Sequence, residues 1–562
     1  MTQADRIVQL AQGMDSQLFT DQYGTPFIRI HLHNDRDRSY ATYPLKAGAV
    51  RDWLAGLLWR AEDKAPGGDA LSSALNVLKA IARGGLQATL YNRVAPDEKG
   101  GIYIDMGDSR WRAIHVTAEG WEIDDDPPII FRRFSHQRAL PEPVKGGTIE
   151  QLLQFANLKD PKHQLLYLVT TVTSFIPGIP HVVEIFSGPH GSGKTMAMRA
   201  QRAVTDPSIV ELLSLPRDER ELVQQLFHHY AAYYDNVSSL PRWASDVFCR
   251  AVTGTGVSKR ELYTDDDVVY QYHRCCALDG INIAAERPDL LDRAVLLYCE
   301  MLDNSVRIEE KELNRMLQEA TPRILGAILD ILVEALRLYP TIELGKLFRM
   351  ADYTRWGYAI TKAMGLDPQL FLDAYEENVK AQSEETLKSS LIATVLVSYI
   401  EILHPSGWSG TPELLYNELC DYAGNQNINT RQKAWPKNAN WMVRRFNEVA
   451  PNLLTKGITI ETKGGPRRTI SIGKTLKDGV NDVMSSSDLR KYSHDDNDDI
   501  DKISRSLPNA DDGVPPELMS LTSLSSDEKP EICADCRQPI IDGSRARKLS
   551  VERKIKDLEA CD

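Results

Sequence analysis

Three glycines, a serine, a lysine and a threonine fall within eight residues, Gly188-Pro189-His190-Gly191-Ser192-Gly193-Lys194-Thr195, in the spacing G-x-x-x-x-G-K-T. Glycines let successive backbone N–H groups curl toward phosphate oxygens, and a helix beginning there adds partial positive charge. A lysine next to the last glycine can bridge the outer phosphates, and the hydroxyl after it can ligate Mg²⁺. The implied ligands are ATP and Mg²⁺, held by Gly188, Gly191, Ser192, Gly193, Lys194 and Thr195. A carboxylate should follow at the end of a neighbouring strand, to hold the metal together with Thr195. Tyr230-Ala231-Ala232-Tyr233-Tyr234-Asp235-Asn236 supplies it, with Asp235 ending an apolar run 40 residues beyond Thr195. Asn236 stands where an acidic base is common. Asn cannot accept a proton, so either Asp235 has both tasks or another acid polarises the water.

A strand before the loop and a helix after it must position these groups. Val182, Val183, Ile185 and Phe186 form a buried-strand run, and 196–202 can continue as a helix. The stretch 165–186 is the most apolar in the chain, yet Pro177, Pro180, His181 and Glu184 interrupt it. They exclude a membrane span and leave a buried helix, a turn and a buried strand. The expected fold over 148–305 is an α/β P-loop NTPase core on a parallel sheet.

Further on, the chain reads Cys249-Arg250-Ala251-Val252-Thr253-Gly254-Thr255-Gly256-Val257-Ser258-Lys259-Arg260-Glu261-Leu262-Tyr263. An acidic turn (Asp265-Asp266-Asp267), a strand at 268–272 and a buried strand at 275–278 follow. This order resembles the AAA+ core of superfamily 3 helicases, as found in primase–helicases of phages, plasmids and other mobile elements. In that family a Thr-Gly-Gly-type turn leads into a β-hairpin ahead of the sensor-1 strand, and hairpins project into a ring channel. The resemblance implies a DNA helicase-like ATPase of DNA replication, assembled as a homo-oligomeric ring, a hexamer, with single-stranded DNA in its channel. It puts sensor 1 at Asp279, which would touch nucleotide, with Asn282 as the alternative. It puts an arginine finger in Arg287-Pro288-Asp289-Leu290-Leu291-Asp292-Arg293, Arg293 being the first choice and Arg287 the second. Lys194, Asp235 and Arg293 then form the catalytic set, the arginine acting on a neighbouring subunit's nucleotide. The hairpin tip is acidic, so gripping a DNA backbone falls to Lys259 and Arg260; a solvated face is the alternative for that pair. The flanking regions resemble those of uncharacterised bacterial helicase-like ATPases. The likeness rests on Leu140-Pro141-Glu142-Pro143 and Trp408-Ser409-Gly410-Thr411-Pro412.

At 562 residues, 42% hydrophobic and 26% charged, the chain is long enough for several globular domains. Residues 1–147 read as a mixed α/β domain of unassigned role, with helices near 52–60 and 70–82 and strands at 88–92, 101–105, 111–116 and 120–123. Residues 306–404 read as helical, with amphipathic stretches at 324–338 and 387–403. Residues 405–474 read as a winged helix, with helices at 412–423 and 438–450 and strands at 458–461 and 469–472. Lys437 opening its second helix and Arg444 and Arg445 within it, with Lys463, Arg467 and Arg468 on the wing, suit duplex DNA. Protein contact is the alternative there.

The net charge of −13 argues against a polyanionic partner, but its distribution does not. Residues 405–474 hold 10 Lys/Arg against 5 Asp/Glu, whereas 475–562 hold 13 against 20. The acidic tail, poor in aromatics, is expected to be disordered. Its Cys533-x-x-Cys536 is half of a zinc ribbon without the remaining ligands at familiar spacing. His228-His229, Cys275-Cys276 and the paired tyrosines read as strand packing. The eight scattered cysteines and the lack of a leader after Met1 suggest a cytoplasmic protein. Two other functions fit the same residues: a non-translocating ATP-dependent DNA-binding switch or loader, and a defence or regulatory ATPase that senses a protein partner.

Overall fold

The computed structural model describes residues 1–31, 40–254, 257–260, 267–270, 273–280, 288–303, 307–432, 434–463 and 468–474, with 257–260 and 267–270 described by backbone alone. All of them lie in one compact unit, Met1–Ser485.

The chain opens with α1 (Gln3–Gly13), β1 (Ser16–Thr20), β2 (Pro26–His31), β3 (Tyr40–Pro44), α2 (Gly48–Glu62), α3 (Gly68–Arg83) and β4 (Leu86–Gln87). The strands form a sheet in the order β3-β2-β1-β4. Ile7, Leu54, Leu57 and Leu78 from the three helices pack on Ile28 and Ile30 of β2. β5 (Leu90–Tyr91) and β10 (Ile130–Phe131) pair in parallel, while β6 (Val94–Pro96), β7 (Ile102–Asp105), β8 (Ala113–Val116) and β9 (Trp121–Asp124) make an antiparallel meander. The linker after it presses on a later helix: a Cβ on Gly326 would stand 2.1 Å from the Val144 carbonyl oxygen, so only glycine fits there.

The middle of the chain holds α4 (Pro161–Thr173), β11 (Val183–Ser187), α5 (Lys194–Thr205), α6 (Glu219–His228), β12 (Ala231–Tyr234), α7 (Arg242–Thr253), the hairpin β13 (Val257–Arg260) and β14 (Asp267–Tyr270), β15 (Cys275–Asp279), α8 (Pro288–Leu291) and β16 (Ala294–Tyr298). Four of these strands form an all-parallel sheet in the order β12-β15-β11-β16. Both faces are covered, which is why the strands read as continuous apolar runs. Phe186, Tyr233 and Ala277 enter one core with α4 and α5, while Ile185, Tyr234 and Leu278 enter another with α6 and α7. The register pairs Phe186 with Asp279 and Tyr234 with Leu278, so β11, β12 and β15 end together along one edge.

Four helices follow: α9 (Glu310–Leu338), α10 (Ala351–Ala363), α11 (Gln369–Ser389) and α12 (Leu391–Leu403). α11 covers the open edge of β16, where Asn378 Oδ1 accepts from Leu296 N at 2.9 Å and Gln382 Nε2 donates to the Ala294 carbonyl at 2.6 Å. The stretch expected as one helix over 387–403 is instead split at Ser390, where α11 and α12 meet at 102°. The bend turns Ile392, Leu396 and Ile400 into the core of the last module. That module comprises β17 (Trp408–Gly410), α13 (Pro412–Asn425), α14 (Ala439–Thr455), β18 (Ile458–Lys463) and β19 (Thr469–Lys474), its sheet ordered β17-β19-β18. Thr411 and Asn438 cap its helices by accepting from Leu414 N and Trp441 N. Among the described residues, no single helix is long and apolar enough to cross a membrane.

Candidate functional site

The loop between β11 and α5 lies at the carboxyl edge of the parallel sheet. Gly188, Gly191 and Gly193 have φ of 139°, 72° and 87°, a region that side chains with a Cβ rarely enter. Gly188 also passes so close to the Cys299 carbonyl oxygen that a Cβ would stand 2.1 Å from it. α5 starts on Gly193 with no side-chain cap, which leaves its first N–H groups for a ligand. Lys194, only 9% exposed, folds back over the loop. Its Nζ donates to the carbonyls of Gly188 (3.1 Å) and Pro189 (3.0 Å) and to Ser192 Oγ (3.4 Å). A phosphate oxygen would have to replace some of these acceptors.

Two carboxylates meet the hydroxyl of Thr195. Its Oγ1 lies 3.4 Å from Asp235 Oδ1 and 3.3 Å from Asp279 Oδ2. Asn236, with φ of 55°, turns its backbone N–H onto Asp279 Oδ1 at 2.5 Å, while its own side chain is exposed. Burial pushes the Asp279 carboxyl up to about 6; the N–H of Asn236 and the charge of Lys194 counter the rise, and Asp235 adds to it. Two carboxylates and a hydroxyl make an all-oxygen donor set with surplus negative charge, which fits Mg²⁺. When bound, that ion would neutralise charge on the phosphate oxygens of a nucleotide.

Beside the loop opens a cleft of about 810 Å³ whose walls include Phe155, Leu158, Met196, Leu302, Ile308 and Leu313. Asn157 ties the loop to its surroundings, its Nδ2 donating to the carbonyls of Ser192 (3.1 Å) and Glu300 (2.6 Å). Arg307 also lines the cleft, its Nη2 3.6 Å from where a Cβ on Gly191 would stand. Sequence reasoning singled out neither residue, because both reach the loop from segments distant along the chain and no spacing links them to it.

The other residues singled out from the sequence lie elsewhere. Arg293 sits just before β16, its Nη1 on the Asp289 carbonyl at 2.8 Å and paired with the Asp289 carboxylate, while Arg349 bonds Asp289 and Asp292. Lys259 and Arg260 belong to β13, opposite Val268 and Asp267 of β14. Asn282, Arg287, Arg467, Cys533 and Cys536 fall outside the described residues. Lys437, Arg444, Arg445, Lys463 and Arg468 are exposed; the Arg444 guanidinium lies 5.2 Å from the Trp441 ring centroid, and Arg445 is 3.8 Å from Glu448. His228 and His229 end α6 rather than pack in a strand, and His229 Nδ1 meets Arg202 Nη2 at 2.8 Å. Cys249, Cys275, Cys276, Cys299 and Cys420 are free thiols.

No curated protein sequence matches the chain. Among solved structures, the A-form apo C-terminal region of NrS-1 is similar at 12% identity, with 84% of this chain and 99% of that chain covered and a TM-score of 0.39. A ligand-bound JCV helicase is similar at 12% identity over 37% of this chain and 68% of that one, with a TM-score of 0.19. Neither score is high enough to bear on fold or function. Residues 149–382 match the actinomycete integrative conjugative element replication protein, and residues 392–486 match the C-terminal domain of the same family's RepA protein. The two segments together span more than half of the chain, which therefore belongs to the replication-protein family of actinomycete integrative conjugative elements.

Proposed function

We propose that this replication protein is an ATP-dependent, DNA helicase-like ATPase that drives replication of a mobile element. The observation that carries the reading is the convergence of Lys194, Thr195, Asp235 and Asp279 at one sheet edge, beside a glycine loop that opens onto a cleft. Lys194 releases the loop carbonyls and takes the outer phosphates of ATP. Thr195 and Asp235 hold Mg²⁺, and Asp279 reads the state of the nucleotide from beside them. The subunits form a ring, a hexamer, with ATP between neighbours, and Arg293 exchanges Asp289 for the next subunit's terminal phosphate. Lys259 and Arg260 contact single-stranded DNA in the channel. The module built from α13, α14, β18 and β19 is a winged helix that holds duplex DNA through Lys437, Arg444, Arg445, Arg467 and Arg468.

The test is ATP turnover by the full chain with and without single-stranded DNA, alongside Lys194→Ala and Asp235→Ala. Stimulation by DNA that vanishes in both variants supports a motor. A second reading, a non-translocating ATP-dependent switch or loader, is favoured by Asn236, which puts an amide where a proton acceptor would stand. Nucleotide binding with turnover indifferent to DNA would select that reading.

A further inference from the structure

At the opposite edge of the parallel sheet lies a cleft of about 460 Å³. Its floor is formed where the strands begin: His181 precedes β11, Tyr230 precedes β12, and His273 and Arg274 precede β15. Its other wall comes from the first part of the chain, through Tyr23, Tyr91 and Arg132. The hairpin β13–β14 leaves the core beyond Gly254 and returns at His273, so the cleft sits at the root of the hairpin.

Three features of its lining are those of a nucleotide site. Aromatic faces come first: Tyr23 and Phe227 lie with ring centroids 6.2 Å apart, and Tyr91 stands in the same wall. Fixed positive charge is the second. The Arg132 guanidinium, paired with the Asp21 carboxylate, lies 5.1 Å from the Phe227 centroid, and Arg274, bonded to backbone carbonyls, is pinned by its Nε on the Leu226 carbonyl (2.6 Å) and its Nη2 on the Phe227 carbonyl (3.2 Å). The third is an unused polar atom. His181 is 4% exposed, its backbone N–H is bonded to the Val252 carbonyl, and its Nε2 has no partner among the described residues. Such a nitrogen, buried without a bond, is destabilising until a ligand satisfies it. Burial holds that imidazole neutral, so it can donate or accept with a base edge.

We propose that this cleft takes one unstacked nucleotide of single-stranded DNA, the base against Tyr23, Tyr91 and Phe227, its edge on His181 and its phosphate near Arg132 and Arg274. Stacking on aromatic faces combined with cationic tracking of the backbone is how proteins hold single strands without reading their sequence. The inference rests on the reading that DNA passes the hairpin, and it adds a holding point at the hairpin's root.

The experiment uses the full chain and oligodeoxythymidylate carrying 5-iododeoxyuridine. Photo-crosslinked peptides are mapped by mass spectrometry, and affinity is measured by fluorescence anisotropy for the parent, Tyr23→Ala and Phe227→Leu, each checked for an unchanged melting temperature. Crosslinks at Tyr23, Tyr91 or Phe227, with binding weakened about fivefold to tenfold in the variants, are expected. Binding by the parent with crosslinks only elsewhere overturns the cleft and leaves the DNA reading standing, whether or not the variants fold. A parent that binds no oligonucleotide overturns both.

Discussion

The two ends of α5 are built in opposite ways. At its start, like charges gather: Asp235 and Asp279 share the Thr195 hydroxyl, while Lys194 bonds carbonyls of its own loop. At its finish, the buried carboxylate is fully answered. Asp206, the C-cap, takes Arg93 Nε at 2.9 Å and the N–H groups of Tyr230 and Ala231 at 3.1 Å each. Burial alone would raise the Asp206 carboxyl, but Arg93 and Arg202 hold it below the usual range. His229, driven by burial and by Arg202 down to about 3, stays neutral and accepts from that arginine. One helix therefore carries a like-charged end, the ligand-ready end of the proposed function, and a saturated end that binds the first part of the chain to the sheet. On the proposed function, the contrast separates residues that serve function from residues that serve stability.

The saturated end should give the largest effect. Arg93 is fully buried and also donates to the Asp105 and Arg138 carbonyls, so Arg93→Leu deprives Asp206 of its ion-paired cation. Removing one partner of such a buried pair costs about 3–5 kcal/mol. Urea or thermal melting measures it, and a loss under about 1 kcal/mol would contradict the contrast. At the ligand-ready end the pattern reverses. Lys194→Ala is expected to lower ATP turnover about 100-fold to 1000-fold, the usual scale for one preorganised cationic donor, with little change in melting temperature. A large fall in melting temperature would mean that the loop carbonyls depend on Nζ for stability.

Arg307 sharpens the comparison from the side of the cleft. Arg307→Ala should raise the KM for ATP about fivefold to tenfold and change kcat less, as expected for binding shared by ground and transition states. An equal fall in kcat and kcat/KM would make Arg307 part of the chemistry instead.

How far each end could be read from the sequence follows from how local it is. The glycine loop, Lys194 and Thr195 are contiguous, and Asp235 closes an apolar strand, so composition and spacing were enough to single them out. Asp279 is singled out only by the family resemblance, as sensor 1, and nothing local says that it shares a hydroxyl with Asp235; that follows from β15 lying between β12 and β11. Asn157 and Arg307 reach the loop only after the chain has folded around it. The saturated end was invisible, since Arg93 and Asp206 lie 113 residues apart and each reads alone as a surface charge. The fold behaved similarly: the strands at 102–105, 113–116 and 121–124 were legible from alternation, whereas the break at Ser390 falls in the polar step Lys388-Ser389-Ser390 inside a stretch whose amphipathic pattern reads straight through it. The bend is set by the core that α12 enters.

Between the two ends stands a third kind of charge. Glu184 lies within β11, 2% exposed, with its Oε2 accepting from Gln201 Nε2 at 2.8 Å and no partner at Oε1 among the described residues. In the sequence it interrupts an apolar strand; in the fold, burial pushes its carboxyl from 4.5 up to about 8, so it is protonated at neutral pH. The folded state therefore keeps a proton that the unfolded chain gives up. Below the ordinary carboxylate range both states hold it and stability is unaffected. As pH rises from about 4.5 to about 8, only the unfolded chain releases it, and the folded state loses stability across that window. Glu184→Gln keeps the shape and never ionises, so it should melt about 2–4 °C higher than the parent at pH 8 and alongside it at pH 5. The same offset at both pH values would mean that the amide acts through packing, and that the Glu184 carboxyl does not titrate differently in the folded and unfolded chains.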